Sequence, residues 1–231
     1  MATTIGETAA DYLSETLKLG LTGTSYIMSG ILAVLLIIQI RTGKYVPAIY
    51  WAAVVLLSVV GTLISDNLVD NMGVSLMTTT ILFSSALAVV FAIWYLSEKT
   101  LSVHTIDTTK RELFYWAAIL FTFALGTSAG DLIGESSGLG YGYAALLFAS
   151  LIAMVFIAYR FLHLNSILAF WLAYIFTRPL GASMGDLLSQ AKDDGGLGLG
   201  TTVTSVIFLL IISTLVIYLT MKRNNPDKVS V

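Results

Sequence analysis

The chain has 231 residues, 57% hydrophobic and 11% charged, with a formal net charge of −2 and no cysteine. Soluble domains carry about 25% charged residues; with a mean hydropathy of +0.87 and long apolar runs from end to end, this is a polytopic membrane protein and not an anchored soluble domain. The lack of cysteine excludes disulfides, thiolate metal sites and cysteine nucleophiles, and the sequence holds no phosphate loop and no nucleic-acid signature.

Residues 1–17 carry Glu7, Asp11 and Glu15 at i, i+4 spacing, on one helical face. They lack the basic start and apolar core of a signal peptide. Seven apolar spans are predicted at about 22–40, 47–70, 74–96, 113–135, 142–161, 167–190 and 201–221. Between them lie Arg41–Lys44, a Gly73 turn, the polar connection 97–112, the turn Gly138-Leu139-Gly140-Tyr141, a link after Arg160 and the glycine-rich loop 191–200. His104 and His163 fall in polar connections and read as solvated loop residues. The pairs Tyr50-Trp51, Tyr115-Trp116 and Phe170-Trp171 open three spans and read as interfacial anchors. Pro179 is expected to kink its span.

One pattern recurs four times. Gly6 precedes Asp11 by five residues, as Gly61 precedes Asp66, Gly126 precedes Asp131 and Gly181 precedes Asp186, at repeat spacings of 55, 65 and 55. Four residues after each Asp come Glu15, Asp70, Glu135 and Gln190. The aromatic pair begins eleven residues before the motif glycine in the last three units. The predicted fold is an all-α membrane protein: a polytopic helix bundle of four parallel two-helix repeats, with seven full spans and an N-terminal half-helix stub. The units are 1–46, 47–111, 112–165 and 166–222, in halves 1–96 and 113–222 joined by 97–112, with a tail at 223–231. Each unit has an even number of spans, so the pseudosymmetry axis runs along the membrane normal. In unit one the aromatic pair would fall before residue 1. The expectation is that the first part of an eighth helix is missing, the alternative being a half-helix that re-enters from one side.

Connections from the second helix of each unit to the next unit, with the tail, hold Arg41, Lys44, Lys99, Lys110, Arg111, Arg160, Lys222, Arg223 and Lys228; the turns inside units hold Lys18 and Lys192. The positive-inside rule makes the first set, and the C-terminus, cytoplasmic, with the acidic motifs toward the outside. Asp66 lies fifteen residues past Trp51, roughly 22 Å along a helix.

The ladders Glu7-Asp11-Glu15, Thr62-Asp66-Asp70, Thr127-Asp131-Glu135 and Ala182-Asp186-Gln190 present oxygen ligands. If the first helices of the units converge, up to eight acids share one cavity, and they must take up protons or cations. Carboxylate, hydroxyl and amide without Cys or His suit a hard cation such as Mn²⁺, Mg²⁺ or Ca²⁺, or a proton. Asp11, Glu15, Asp66, Asp70, Asp131, Glu135 and Asp186 are the candidate metal ligands, supported by Glu7, Thr62, Thr127 and Gln190. Arg178, the one basic residue deep in a span, is a candidate counter-charge whose expected partner is a motif carboxylate. The plainer readings are G-x-x-x-G helix packing for Gly126/Gly130 and Gly181/Gly185, local unwinding at these glycines being the other use; acids resting in outer water; and aspartates that bind turn amides.

The segments Tyr-Trp, Gly-Thr-Ser-Ala-Gly-Asp, Gly-Leu-Gly-Tyr and Thr-Arg-Pro-Leu-Gly-Ala-Ser-Met-Gly-Asp-Leu-Leu make the chain similar to a bacterial family of multi-spanning membrane-anchored proteins with repeated G-T-x-x-G-D motifs. The resemblance covers nearly the whole chain, and Thr177–Leu188 is its most specific part. It implies an inner-membrane protein and no particular activity. The functional expectation is therefore a transporter or exchanger of a hard, preferably divalent cation, with proton coupling open. The alternative is a non-transporting scaffold or partner subunit with structural acids. The expected partners are the bilayer, a metal cation or proton, and, for the assembly, a homo-oligomer; the only cofactor expected is the bound or transported cation. An enzyme is not expected, because nothing pairs a nucleophile with a base.

Overall fold

The computed structural model describes residues 2–43, 45–136 and 140–224; the side chains of residues 15, 16, 135, 136, 194, 220 and 222–224 lie outside the description. The helices are α1 (Ala2–Asp11), α2 (Leu21–Thr42), α3 (Pro47–Asp66), α4 (Leu76–Glu98), α5 (Thr109–Asp131), α6 (Tyr141–Phe161), α7 (Ser166–Ser189) and α8 (Gly200–Asn224). Seven of them are long and apolar enough to cross a membrane, and the short α1 is the stub the sequence predicts. Their starts are chemically marked. Ser75, Thr108 and Asn165 accept hydrogen bonds from backbone N–H groups of the first turns of α4, α5 and α7, and Pro47 opens α3. The ends of α2 and α4 are left-handed, at Gly43 and Lys99.

The helices form two layers. The odd-numbered helices close a ring: α1 packs on α3, α3 on α5, α5 on α7 and α7 back on α1. The even-numbered helices lie outside it, each against the first helix of the following unit, α2 on α3, α4 on α5, α6 on α7 and α8 on α1. Each unit is thereby clasped by its predecessor. The two sequence halves are not separate bodies, since α5 meets α3 across the 97–112 connection as α3 meets α1. The outer helices turn large apolar side chains such as Ile31, Val34, Leu82, Val89, Leu146, Met154 and Leu210 outward, as a lipid-facing surface requires.

One contact, made four times, sets the ring. A Cβ on Gly6 would run into Ser58, one on Gly61 into Phe123, one on Gly126 into Arg178 and one on Gly181 into Thr3. In each case the motif glycine of one unit meets the residue three places before the motif glycine of the next, and the fourth contact returns to the first unit. Gly130 and Gly185 extend the same faces, toward Ala182 and Ser183 and toward Thr4 and Glu7. The G-x-x-x-G spacings therefore serve close helix approach. Local unwinding at these glycines does not occur: α3, α5 and α7 run through Gly61, Gly126 and Gly181, and α7 also runs through Pro179.

The departure from α geometry lies just beyond the repeated Asp. Tyr12–Thr16, Asn67–Asn71 and Leu132–Ser136 each form a π-helical turn directly after Asp11, Asp66 and Asp131. Each wide turn contains the second acid of its ladder, Glu15, Asp70 or Glu135. In unit four, where that acid is replaced by Gln190, α7 stays α-helical through Ser189. Such turns are rare and concentrate at functional positions.

Candidate functional site

Residues at i, i+4 intervals along the ring helices stack in layers on the axis. Numbered from the motif glycine, the layer one residue on is Glu7, Thr62, Thr127 and Ala182, all buried. The Thr62 hydroxyl and the Thr127 hydroxyl each donate to Glu7 Oε2 at 3.1 Å, and the two hydroxyls lie 3.0 Å apart. Three units thus meet through side chains at one point, and the fourth supplies the methyl of Ala182.

The next layer, five residues on, is the four aspartates. Asp11, Asp66, Asp131 and Asp186 line one cavity of about 140 Å³ together with Glu7, Asp70, Gln190 and Ser14. Asp186 is buried, Asp11, Asp66 and Asp131 are half-buried and Asp70 is exposed, so the chamber grades from the interior toward the mouth. The charges of Glu7, Asp11, Asp70 and Asp186 all bear on Asp66. The convergence expected from the repeat thus holds for every candidate ligand whose side chain is described; those of Glu15 and Glu135 lie outside the described residues. The donors are hard oxygens, yet among the described residues no three His, Asp or Glu side chains are arranged as a ready-made metal ligand set.

Arg178 stands below the Glu7 layer, in the layer three residues before the motif glycine, with Thr3, Ser58 and Phe123. Sequence reasoning expects a carboxylate beside it. The structure instead surrounds the guanidinium with rings and hydroxyls. Its Cζ sits 3.4 Å from the centroid of the Phe123 ring and 4.3 Å from that of Tyr174, and it donates to the Tyr174 hydroxyl and to Thr3 Oγ1. Arg178 is 4% exposed, and its Nε has no hydrogen-bond partner among the described residues. The physical reason lies in the ring register: the position facing Arg178 from α5 is Phe123, and the acids lie one and two turns above. An arginine over aromatic faces is a cation–π arrangement, worth about 2 kcal/mol when desolvated.

The aromatic pairs correct a second expectation. Tyr115, Trp116 and Trp171 are buried and Tyr50 and Trp51 half-buried, so these rings turn inward, while Phe170 stays exposed. Trp116 and Trp171 are each 4% exposed. Tyr50 packs on Trp116 at 5.6 Å between ring centroids, and Tyr115 on Trp171 at 6.4 Å, the same contact one unit apart. The Tyr50 and Tyr115 hydroxyls bond to each other, and Trp171 Nε1 donates to the Leu101 carbonyl at 2.9 Å. Composition alone does not separate an inward aromatic from an interfacial one. Part of the signal was in the ladder: counting back from each Asp in steps of four residues reaches Tyr50 and Tyr115, which turn inward, but also Phe170, which is exposed. The π turns had no sequence signal.

The family model described as "Repeat of Unknown Function (DUF347)" matches residues 1–45, 49–100, 114–164 and 169–225, one match for each helix pair. No curated protein and no solved structure matches the chain.

Proposed function

This chain belongs to the DUF347 repeat family, and we propose that its fourfold design makes it a membrane transporter or exchanger of a hard cation. The observation that carries the reading is the single chamber lined by all four repeat aspartates. A chamber of about 140 Å³ holds several waters. The ion therefore binds partly hydrated, in keeping with a donor set that is not a closed cage and with Mg²⁺ chemistry in particular. Asp11, Asp66, Asp131 and Asp186 are the central ligands. Gln190 and Asp70, which also line the chamber, supply further oxygens; coupling protons are the proposed load of Asp70 and, from their ladder positions in the sequence, of Glu15 and Glu135. Below the chamber the Thr62–Thr127–Glu7 cluster narrows the axis, and Arg178 occupies it as the resident positive charge. Passage of a cation requires Arg178 to yield, which is the device an exchanger needs. The distribution of basic residues orients the chamber outward and the C-terminus to the cytoplasm of a bacterial cell.

The test is flux of Mn²⁺, Mg²⁺ and Ca²⁺ into liposomes carrying the purified protein, with Asp131→Asn as the variant. Transport by the parent and its loss in a variant that remains monodisperse are expected; full transport by the variant overturns the reading. One observation favours the scaffold alternative: Glu7 is bonded to both threonines, so at least one acid is tied into packing. On that alternative Asp131→Asn lowers the melting temperature, and no cation raises that of the parent.

A further inference from the structure

The opposite end of the ring holds a second cavity, of about 470 Å³, with a different chemistry. Its walls include Gln39 from α2, Tyr45 just before α3, Tyr50 from α3, Asp107 from the connection before α5, and Glu112, Tyr115 and Trp116 from α5. The aromatic rings form a continuous surface. Tyr45 meets Tyr50 edge-on at 5.3 Å between centroids, and Tyr50 meets Trp116 at 5.6 Å. Glu112 is the carboxylate set among the rings, held in place by two donors, Gln39 Nε2 at 3.2 Å and Trp116 Nε1 at 3.3 Å, both to Oε1. Gln39 is 6% exposed, and with its amide nitrogen committed to Glu112 its carbonyl Oε1 has no hydrogen-bond partner among the described residues. A buried acceptor left in this way costs about 1–3 kcal/mol, so it marks a place where a donor belongs. Among the described residues no lysine or arginine lines the cavity. Lys110 is engaged with Glu98 at 3.2 Å, and Arg111 with Glu98 at 2.9 Å and, at 3.1 Å, with Asp107, which also lines the cavity.

We propose that this cavity is a binding site for an organic ammonium ion. Its N–H groups donate to the Glu112 carboxylate and to Gln39 Oε1, and its charge and carbon skeleton lie against Tyr50, Tyr115 and Trp116. Cation–π attraction and a fixed carboxylate recognise such a group together. The volume lies in the range of small-molecule sites, and aromatic walls do not replace the water shell of a hard metal ion. Glu112 disfavours an anion, since among the described residues no base stands in the wall beside it. The inference does not rest on the cation reading of the acidic chamber, which uses other residues at the other end of the axis.

The experiment is calorimetric and thermal-shift titration of the purified full chain in detergent with 2-phenylethylammonium, its N-trimethyl analogue and neutral 2-phenylethanol. Saturable binding is expected for the primary ammonium, weaker binding for the trimethyl form, which has no N–H to give Gln39, and the weakest for the alcohol. Glu112→Gln keeps the acceptor for Gln39 and Trp116 but removes the charge, and it should weaken ammonium binding about tenfold or more. Gln39→Leu serves as a second variant should Glu112→Gln not fold, and it should erase the preference for the primary over the trimethyl ammonium. Equal binding of alcohol and ammonium overturns the proposal, as does an affinity that both variants leave unchanged. Asp131→Asn should bind the ammonium as the parent does. Loss of binding in that variant would place the ammonium in the acidic chamber and overturn this site without touching the cation reading.

Discussion

Apart from the short α1, the inner and outer helices have similar lengths and come from the same four repeats, yet they obey different rules. On α3, α5 and α7 small and polar side chains such as Ser58, Thr62, Ser65, Thr122, Thr127, Ser128 and Ser183 are buried to 2% exposure or less. On α2, α4, α6 and α8 the buried residues are few, and the surface is aliphatic. Helices in lipid gain little from burying apolar area against one another; they associate through close backbone approach and hydrogen bonds. The ring helices have the residues for that, and the outer helices supply the lipid-facing surface. Within the ring a second contrast appears between layers. All four units place an Asp around the chamber, where an ion on the axis can be met from every side. One turn and two turns below, the units diverge to Glu7, Thr62, Thr127 and Ala182, and to Thr3, Ser58, Phe123 and Arg178. Four arginines or four glutamates would not fit there, so the symmetry is given up where one side chain must fill the axis.

The most severe way to break the inner–outer contrast is a methyl group at a ring contact. In Gly126→Ala the new Cβ meets Arg178 Cβ and the backbone of Arg178 and Pro179, none of which can rotate aside. Overpacking of this kind costs about 1–3 kcal/mol, and the upper end applies because the obstacle is backbone. The expected outcome is a lower melting temperature in detergent, with loss of the monodisperse species on size exclusion. A neutral result would mean that the glycine ring is not what closes the bundle.

A smaller effect is expected from the hydroxyls under the chamber. Thr62→Val and Thr127→Val preserve shape and remove one donor each to Glu7 Oε2. Interhelical side-chain hydrogen bonds within membranes are worth about 0.6 kcal/mol on average and up to about 1.7 kcal/mol. Each single variant should fall in that range. The double variant should cost less than the sum, because the two hydroxyls lie 3.0 Å apart and share one acceptor. Strict additivity, read from the melting temperatures of all four proteins, would dissolve the cluster into independent contacts.

How far the chain could be read before its structure follows from the same geometry. Register arithmetic is robust: the glycine-to-Asp interval and the 55-residue and 65-residue spacings place four equivalent helices in parallel, and equivalent helices around one axis bring equivalent residues together. The helix pairs and the convergence of Asp11, Asp66, Asp131 and Asp186 were legible for that reason. What surrounds Arg178 was not, because it depends on which face of α5 meets α7, and that is set by a glycine contact between units rather than by anything within one. The inward turn of Tyr50, Tyr115 and their tryptophans was half legible, through a ladder followed only as far as its acids. The cavity at Glu112 joins α2, α3 and α5, three helices whose meeting no periodicity announces.

The gentlest prediction turns on a glycine outside the ring. Gly30 lies on the exposed outer face of α2, and a Cβ added there meets nothing within 4 Å. Gly30→Ala removes backbone freedom from the unfolded chain and restores helix propensity without touching a neighbour, so it should stabilise by about 0.5–1 kcal/mol. The sign is opposite to that of Gly126→Ala, although both are single methyl groups in the middle of apolar helices. If a melting-temperature measurement showed Gly30→Ala to be as damaging as the ring substitution, the outer face of α2 would have to be packed against something other than lipid, and a second copy of the chain would be the first partner to seek by cross-linking across that face.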